Sequence, residues 1–240
     1  MRKLLNNKRK HICAFLFAAL LAVLTLVFVS CNNQADGNDS NTAQTDAAGD
    51  SGGFTVELGQ GLMLTGAGKY TGMYMEDGSD EITENTVMVT VENGSDKTLE
   101  YAEISVTLSS GAAKFSVSTL PPGESAVFLE KNRLSWESGK KVISAELTSA
   151  VFFADEPTMC ENQLEISAAD GSIKVKNISD SDISGTVAVY YKNYYDGIYY
   201  GGITYRSALP DGIRAGETKT LTAVHYRKEG SRVVFADCAP

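Results

Sequence analysis

Residues 89–106 read VTVENGSDKTLEYAEISV, and residues 173–189 read IKVKNISDSDISGTVAV. In the first stretch Val87, Val89 and Val91 alternate with Met88, Thr90 and Glu92 until Asn93-Gly94-Ser95-Asp96 interrupts the run. A period of two puts one set of side chains on one face, as in a half-buried strand, and the four residues that follow have turn chemistry. Val106 and Leu108 flank Thr107 in the next candidate strand. The second stretch repeats the pattern, with NISDSD (177–182) at the turn.

The repetition continues outward. LPPGES (120–125) has its counterpart in IRAGET (213–218), and VFFAD (151–155) in VVFAD (233–237). The three offsets are 84, 93 and 82, which fits a duplicated unit with one longer hairpin in the second copy. Short strands at roughly ten-residue spacing, with no helical period, predict an all-β chain of two tandem β-sandwich domains. The boundaries fall at 54–157 and 158–240, joined near Glu156-Pro157-Thr158.

The N-terminus has a different character. Arg2, Lys3, Lys8, Arg9 and Lys10 precede an uncharged apolar run from Ile12 to Val29, which ends at Ser30-Cys31. Residues 1–30 therefore read as a secretory signal. The segment resembles a bacterial lipoprotein signal, with Phe28 where Leu or Val is usual, and implies acylation of Cys31. An uncleaved membrane anchor is the alternative, since 18 apolar residues are just long enough to span. Residues 32–53 hold no aliphatic side chain larger than alanine and read as a disordered tether with a reach of about 26 Å. Within it lies Gly49-Asp50-Ser51-Gly52-Gly53, the string around the nucleophile of chymotrypsin-like proteases. A nucleophilic serine needs a rigid setting and a histidine base. A tether supplies neither, so the match is an accident of composition.

Charge and cysteines agree with export. Beyond residue 30 the chain has 16 basic and 30 acidic residues, a formal charge of −14, which excludes an electrostatic footprint for nucleic acid. Cys160 and Cys238 are the only cysteines after Cys31 and are expected to form a disulfide, a pair of free thiols being the alternative. On the chain-entropy model the bond would stabilise the fold by about 4.5 kcal/mol. No cofactor or metal is expected.

The first unit, with GKYTGMYMEDGSDEITENTVMVTVEN (68–93) and FSVSTLPPGESAVFLE (115–130), resembles domains of lipid-anchored surface proteins of Gram-positive bacteria. The second, IKVKNISDSDISGTVAVYYKN (173–193), is similar to their FxLYD-type modules, although the FxLYD string itself is absent. The resemblance implies Ig-like sandwiches on the extracytoplasmic face of the cell membrane and brings no catalytic residues.

Seven of the eleven tyrosines lie in YYKNYYDGIYYGGITY (190–205). With Asp196-Gly197 as a hairpin turn, Tyr194, Tyr195, Tyr199 and Tyr200 sit at or near its tip. They are the candidate contacts for a protein or glycan ligand, and cross-strand aromatic pairing is the competing explanation. MEDGSDE (75–81) groups Glu76, Asp77, Asp80 and Glu81, which reads as a solvated acidic turn before it reads as a calcium loop. His225 shares a predicted strand face with Leu221 and Ala223, and Trp136 is expected to cover a core edge. The functional expectation is a non-catalytic binding, adhesion or spacer module. The alternatives are an accessory subunit docked on a membrane transport or secretion complex, and an envelope hydrolase using the acidic stretch with His225.

Overall fold

The computed structural model describes residues 55–79 and 81–238; the signal, Cys31, the tether with its GDSGG string, and Asp80 lie outside the described residues. The chain is all-β. Its strands are β1 (Val56–Gly59), β2 (Leu62–Met73), β3 (Ile82–Asn93), β4 (Leu99–Leu108), β5 (Gly111–Leu120), β6 (Ser125–Leu129), β7 (Val142–Phe152), β8 (Leu164–Ala169), β9 (Ser172–Asn177), β10 (Val187–Tyr195), β11 (Ile198–Leu209), β12 (Thr218–Thr222) and β13 (Ser231–Cys238). No described helix is long and apolar enough to cross a membrane.

In the first half, β1-β2-β3-β6 faces β5-β4-β7. The alternation read in the sequence fills the space between them: Val87, Val89 and Val91 meet Ile104, Val106, Phe115 and Val117, all buried. In the second half β12-β9-β8 faces β11-β10-β13 around Ile173, Val175, Val187, Val189 and Leu221. Strands β8 to β13 repeat the pairings of β2 to β7 one for one.

The duplication extends to single hydrogen bonds. Asn93 and Asn177 are both fully buried. The Asn93 Nδ2 donates to the carbonyls of Lys97 and Leu120, and its Oδ1 accepts from the N–H and hydroxyl of Ser95. Asn177 does the same with Ser181, Ile213 and Ser179. The Gly123 N–H reaches the Asn93 carbonyl at 2.7 Å, and the Gly216 N–H reaches that of Asn177 at 3.0 Å. One amide thus closes the turn after each strand and ties it to LPPGES or IRAGET. A buried polar group is tolerated because all its hydrogen-bonding capacity is met.

The halves are joined through a sheet. Strand β11 pairs in parallel with β6, Tyr199 opposite Ala126 and Tyr200 opposite Val127, which makes one seven-stranded sheet, β1-β2-β3-β6-β11-β10-β13. The longer hairpin makes this reach possible. Leu99 and Leu120, 21 residues apart, close the β4–β5 hairpin; their counterparts Ile183 and Ile213 are 30 residues apart. The added length carries the tyrosines across to the first half. Gly201 and Gly202 let the strand come close: a Cβ on Gly201 would lie 2.4 Å from the Met75 carbonyl, and one on Gly202 2.6 Å from that of Ser116.

Cys160 and Cys238 form the expected disulfide, with Cα atoms 6.6 Å apart. Beside it the Ala236 N–H donates to the Thr158 carbonyl, and on the other side of Pro157 the Glu156 carboxylate accepts from the Thr98 N–H and hydroxyl. The connector is therefore held at both ends.

Candidate functional site

The hairpin tip is docked rather than displayed. Tyr199 is 1% exposed and belongs to the first core, while Tyr200, 9% exposed, joins Tyr70, Met88, Val127 and Leu129 on the outer face of β2-β3-β6. Tyr191 packs into the second core. Alternation along the hairpin thus sends tyrosines to three apolar clusters. Tyr194 meets Tyr199 edge-on at 4.8 Å and Tyr195 meets Tyr200 at 5.7 Å, so cross-strand pairing is present. Tyr194 and Tyr195 are half-buried. Burial pushes the Tyr199 hydroxyl up to about 12, against the pull of Arg232. An open patch of four tyrosines would need a tip that projects into solvent, and this tip lies on the neighbouring half.

The acidic stretch divides its residues between two tasks. The Glu76 carboxylate accepts from the Leu129 N–H at 2.7 Å and the Gly202 N–H at 2.6 Å, bridging β6 and β11 where their short ladder ends. Burial raises its pKa to about 7, although both N–H groups and Lys192 favour the ionised form. Lys192 is fully buried and donates through Nζ to the Ser118 carbonyl at 2.5 Å. Burial lowers its pKa to about 7, with Glu76 pulling the other way. Asp77 and Glu81 instead bracket Arg133, at 3.1 and 2.7 Å, and the guanidinium lies 4.3 Å over the Tyr74 ring. Among the described residues no group of three or more histidine, cysteine or acidic side chains could hold a metal ion.

These residues frame a cleft of about 400 Å³ at the junction. Tyr74, Glu76 and Asp77 come from the segment after β2, Ser116 from β5, Lys131, Asn132 and Arg133 from the turn after β6, and Gly202 from β11. The Tyr74 hydroxyl is 3.0 and 2.9 Å from the carbonyls of Glu130 and Lys131 and pins that turn. Glu130, buried beneath it, accepts from the N–H groups of Asn132 and Leu134. Arg133 holds a left-handed backbone with φ of 56°. A non-glycine residue stays there only where its surroundings fix it.

His225 is elsewhere. It lies in the turn after β12, not on a strand face, stacks on Tyr205 at 4.6 Å and does not line the cleft. The pairing of His225 with the acidic stretch is not assembled. Trp136 packs half-buried against the first core, as a residue covering a core edge should.

Lys192, Asn93 and Asn177 did not stand out in the sequence as keystones. The only signal for Lys192 was a lysine between tyrosine pairs in a strand whose register slips at 190–193. The asparagines were legible as turn residues, and their repetition at matching positions was the sign that they do more. No family model, curated protein or solved structure matches the chain.

Proposed function

We propose that this protein is a lipid-anchored, extracytoplasmic, non-catalytic binding module, tethered through Cys31 and built as one rigid two-lobed body. The observation that carries this reading is the junction. Side chains that could do chemistry, Glu76, Lys192, Asp77 and Arg133, are each engaged in fastening one half or one loop to another. A continuous sheet between two sandwiches suits a body that must present a surface at a fixed geometry above a membrane. The disulfide supports an oxidising compartment. The test is metabolic labelling of a bacterial host with a radioactive fatty acid. Wild-type chain should take up label and sediment with membranes, and Cys31→Ala should take up none. Unlabelled wild-type chain would remove the anchor from this reading.

One observation favours the accessory-subunit reading as a form of binding. Strand β7 is an edge strand of eleven residues with Ile143 and Val151 exposed. Edge strands of this kind accept partner strands. A photocrosslinker at position 143 that captures one discrete membrane protein, while the same group at position 224 captures none, would favour docking.

A further inference from the structure

We propose that the edge of β7 docks an extended segment of another protein with the pattern apolar–basic–apolar, a reading that rests on the accessory-subunit form of the binding role above and specifies its partner. Among the described residues β7 is the one long edge left open. Of the other strands that end a sheet, β1, β8 and β12 have six residues or fewer. The connector covers β13, where the Ala236 N–H donates to the Thr158 carbonyl, and β11 lies against β5, where the Ser118 and Thr204 hydroxyls meet at 2.9 Å. Strand β7 has eleven residues and pairs only with β4, while β1 lies beside it in the opposite sheet. A strand added to such an edge gains main-chain hydrogen bonds, and its alternate side chains decide which strand is accepted.

Two bulges confine where a partner can pair. Relative to β4, β7 has an extra residue at Ile143 and another at Thr148. Between them the alternation is regular: Ala145 and Leu147 turn to the first core, and Ser144, Glu146 and Thr148 turn outward. A strand paired along 144–148 sets two side chains beside Ala145 and Leu147, at the side of the core, and one outward opposite Glu146. Apolar side chains suit the first two positions. Ile143 and Val151, both exposed, extend the apolar contact at the two ends.

The central position calls for a cation. Glu146 is the only charge in β7, it is exposed, and among the described residues its carboxylate has no partner. In its own row across the sheet, Lys114–Ser105–Glu146, the lysine is two strands away, about 10 Å. Lys141 lies before the strand, beyond the bulge at Ile143. A basic side chain directly opposite Glu146 would make a favourable cross-strand pair, and an acidic one an unfavourable pair. The same residue turns away a second copy. Two antiparallel self-pairings keep inward residues opposite inward ones. One, along 142–150, sets Glu146 against its own copy; the other, along 145–152, sets it against Val151. One charge therefore closes the edge to itself and opens it to a basic strand.

The test is an NMR titration of the isotope-labelled full chain, held in detergent, with two blocked pentapeptides, Thr-Val-Lys-Val-Thr and Thr-Val-Glu-Val-Thr. The lysine peptide should shift the amides of 144–148 along a saturating curve and bind about fivefold or more tightly than the glutamate peptide. Glu146→Lys should reverse that order. Glu146→Gln, a milder change at the same exposed site, should erase it. Glu165→Lys, on the edge strand β8, should leave it as in wild type. No saturation by the lysine peptide up to about 10 mM would overturn the proposal. So would equal affinity for the two peptides, an order that Glu146→Lys leaves unchanged, or shifts centred away from β7. None of these failures bears on fatty-acid labelling at Cys31 or on capture at position 143, so the basic-strand partner and the binding role fail separately.

Discussion

Strands β6 and β12 are the same strand in two copies, and they meet opposite fates. The backbone bonds that place Glu124 beside Asn93 and Glu217 beside Asn177 align Ser125–Leu129 with Thr218–Thr222. Inward, Phe128 and Leu221 are both buried. Outward, Val127 and Leu129 of β6 answer to Thr220 and Thr222 of β12, and Met88 of β3 answers to Ser172 of β9. The first copy presents an apolar edge and face, covered by the tyrosine hairpin. The second presents threonines, with Lys174 and Lys176 beside them, to solvent. A few outward side chains decide whether a sandwich accepts a neighbour or ends the array, while the inward pattern, the turns and the buried asparagines stay constant.

The largest expected effect comes from removing the hairpin's anchor. Tyr199→Ala should cost about 4 kcal/mol, as large-to-small changes in a core do, measured by guanidinium denaturation. It should also separate the unfolding of the two halves, and a loss under about 1 kcal/mol would mean the anchor is peripheral. Next, giving β6 the character of β12, with Val127→Thr and Leu129→Thr together, should cost about 3 kcal/mol because hydroxyls enter an apolar contact. The reverse exchange, Thr220→Val with Thr222→Leu, should leave stability nearly unchanged and produce concentration-dependent self-association by sedimentation. A strictly monomeric variant would show that these side chains do not decide the edge.

Asn93→Ala and Asn177→Ala sharpen the constant side of the comparison. Each removes a buried amide that ties two turn carbonyls together, at about 2–3 kcal/mol, and the two losses should agree within about 1 kcal/mol. Unequal losses would mean that the shared geometry hides different energetics.

The last effect is in pH. Glu76 has its pKa raised in the folded state, so its contribution is full at low pH and is lost as pH rises from about 4.5 towards 7. Lys192 has its pKa lowered, so its contribution is full above about 10.5 and is lost as pH falls towards 7. Together they should place a dip near neutrality in the melting temperature. Glu76→Gln should flatten the acid limb and Lys192→Met the alkaline limb. Parallel wild-type and variant curves would show that neither group titrates as the junction implies.

The sandwich layers were legible because alternation such as Val87-Val89-Val91 states directly which side chains are buried. The duplication was legible because turn residues such as Asn93 and Gly123 recur as Asn177 and Gly216. The disulfide followed from having only two cysteines beyond Cys31. The junction was not legible, and the reason is physical. Tyr199 and Tyr200 read equally well as exposed contacts or as packed rings; the choice is made for Tyr199 by the first core, and for Tyr200 by Val127, Leu129 and Met88, some 70 or more residues earlier. Glu76 looked like one of four solvated acids because nothing local shows that Leu129 and Gly202 bring two N–H groups to it.

Native-state hydrogen exchange in rising guanidinium, read at the equivalent amides of Val91 in β3 and Val175 in β9, tests most directly whether the shared sheet makes one body of two sandwiches. The two amides should merge into one isotherm with a common free energy and denaturant dependence. Exchange at Val175 through its own opening, at lower free energy and with Val91 still protected, would contradict it: the halves would then be neighbours joined by a connector, and the hairpin an ornament on their border.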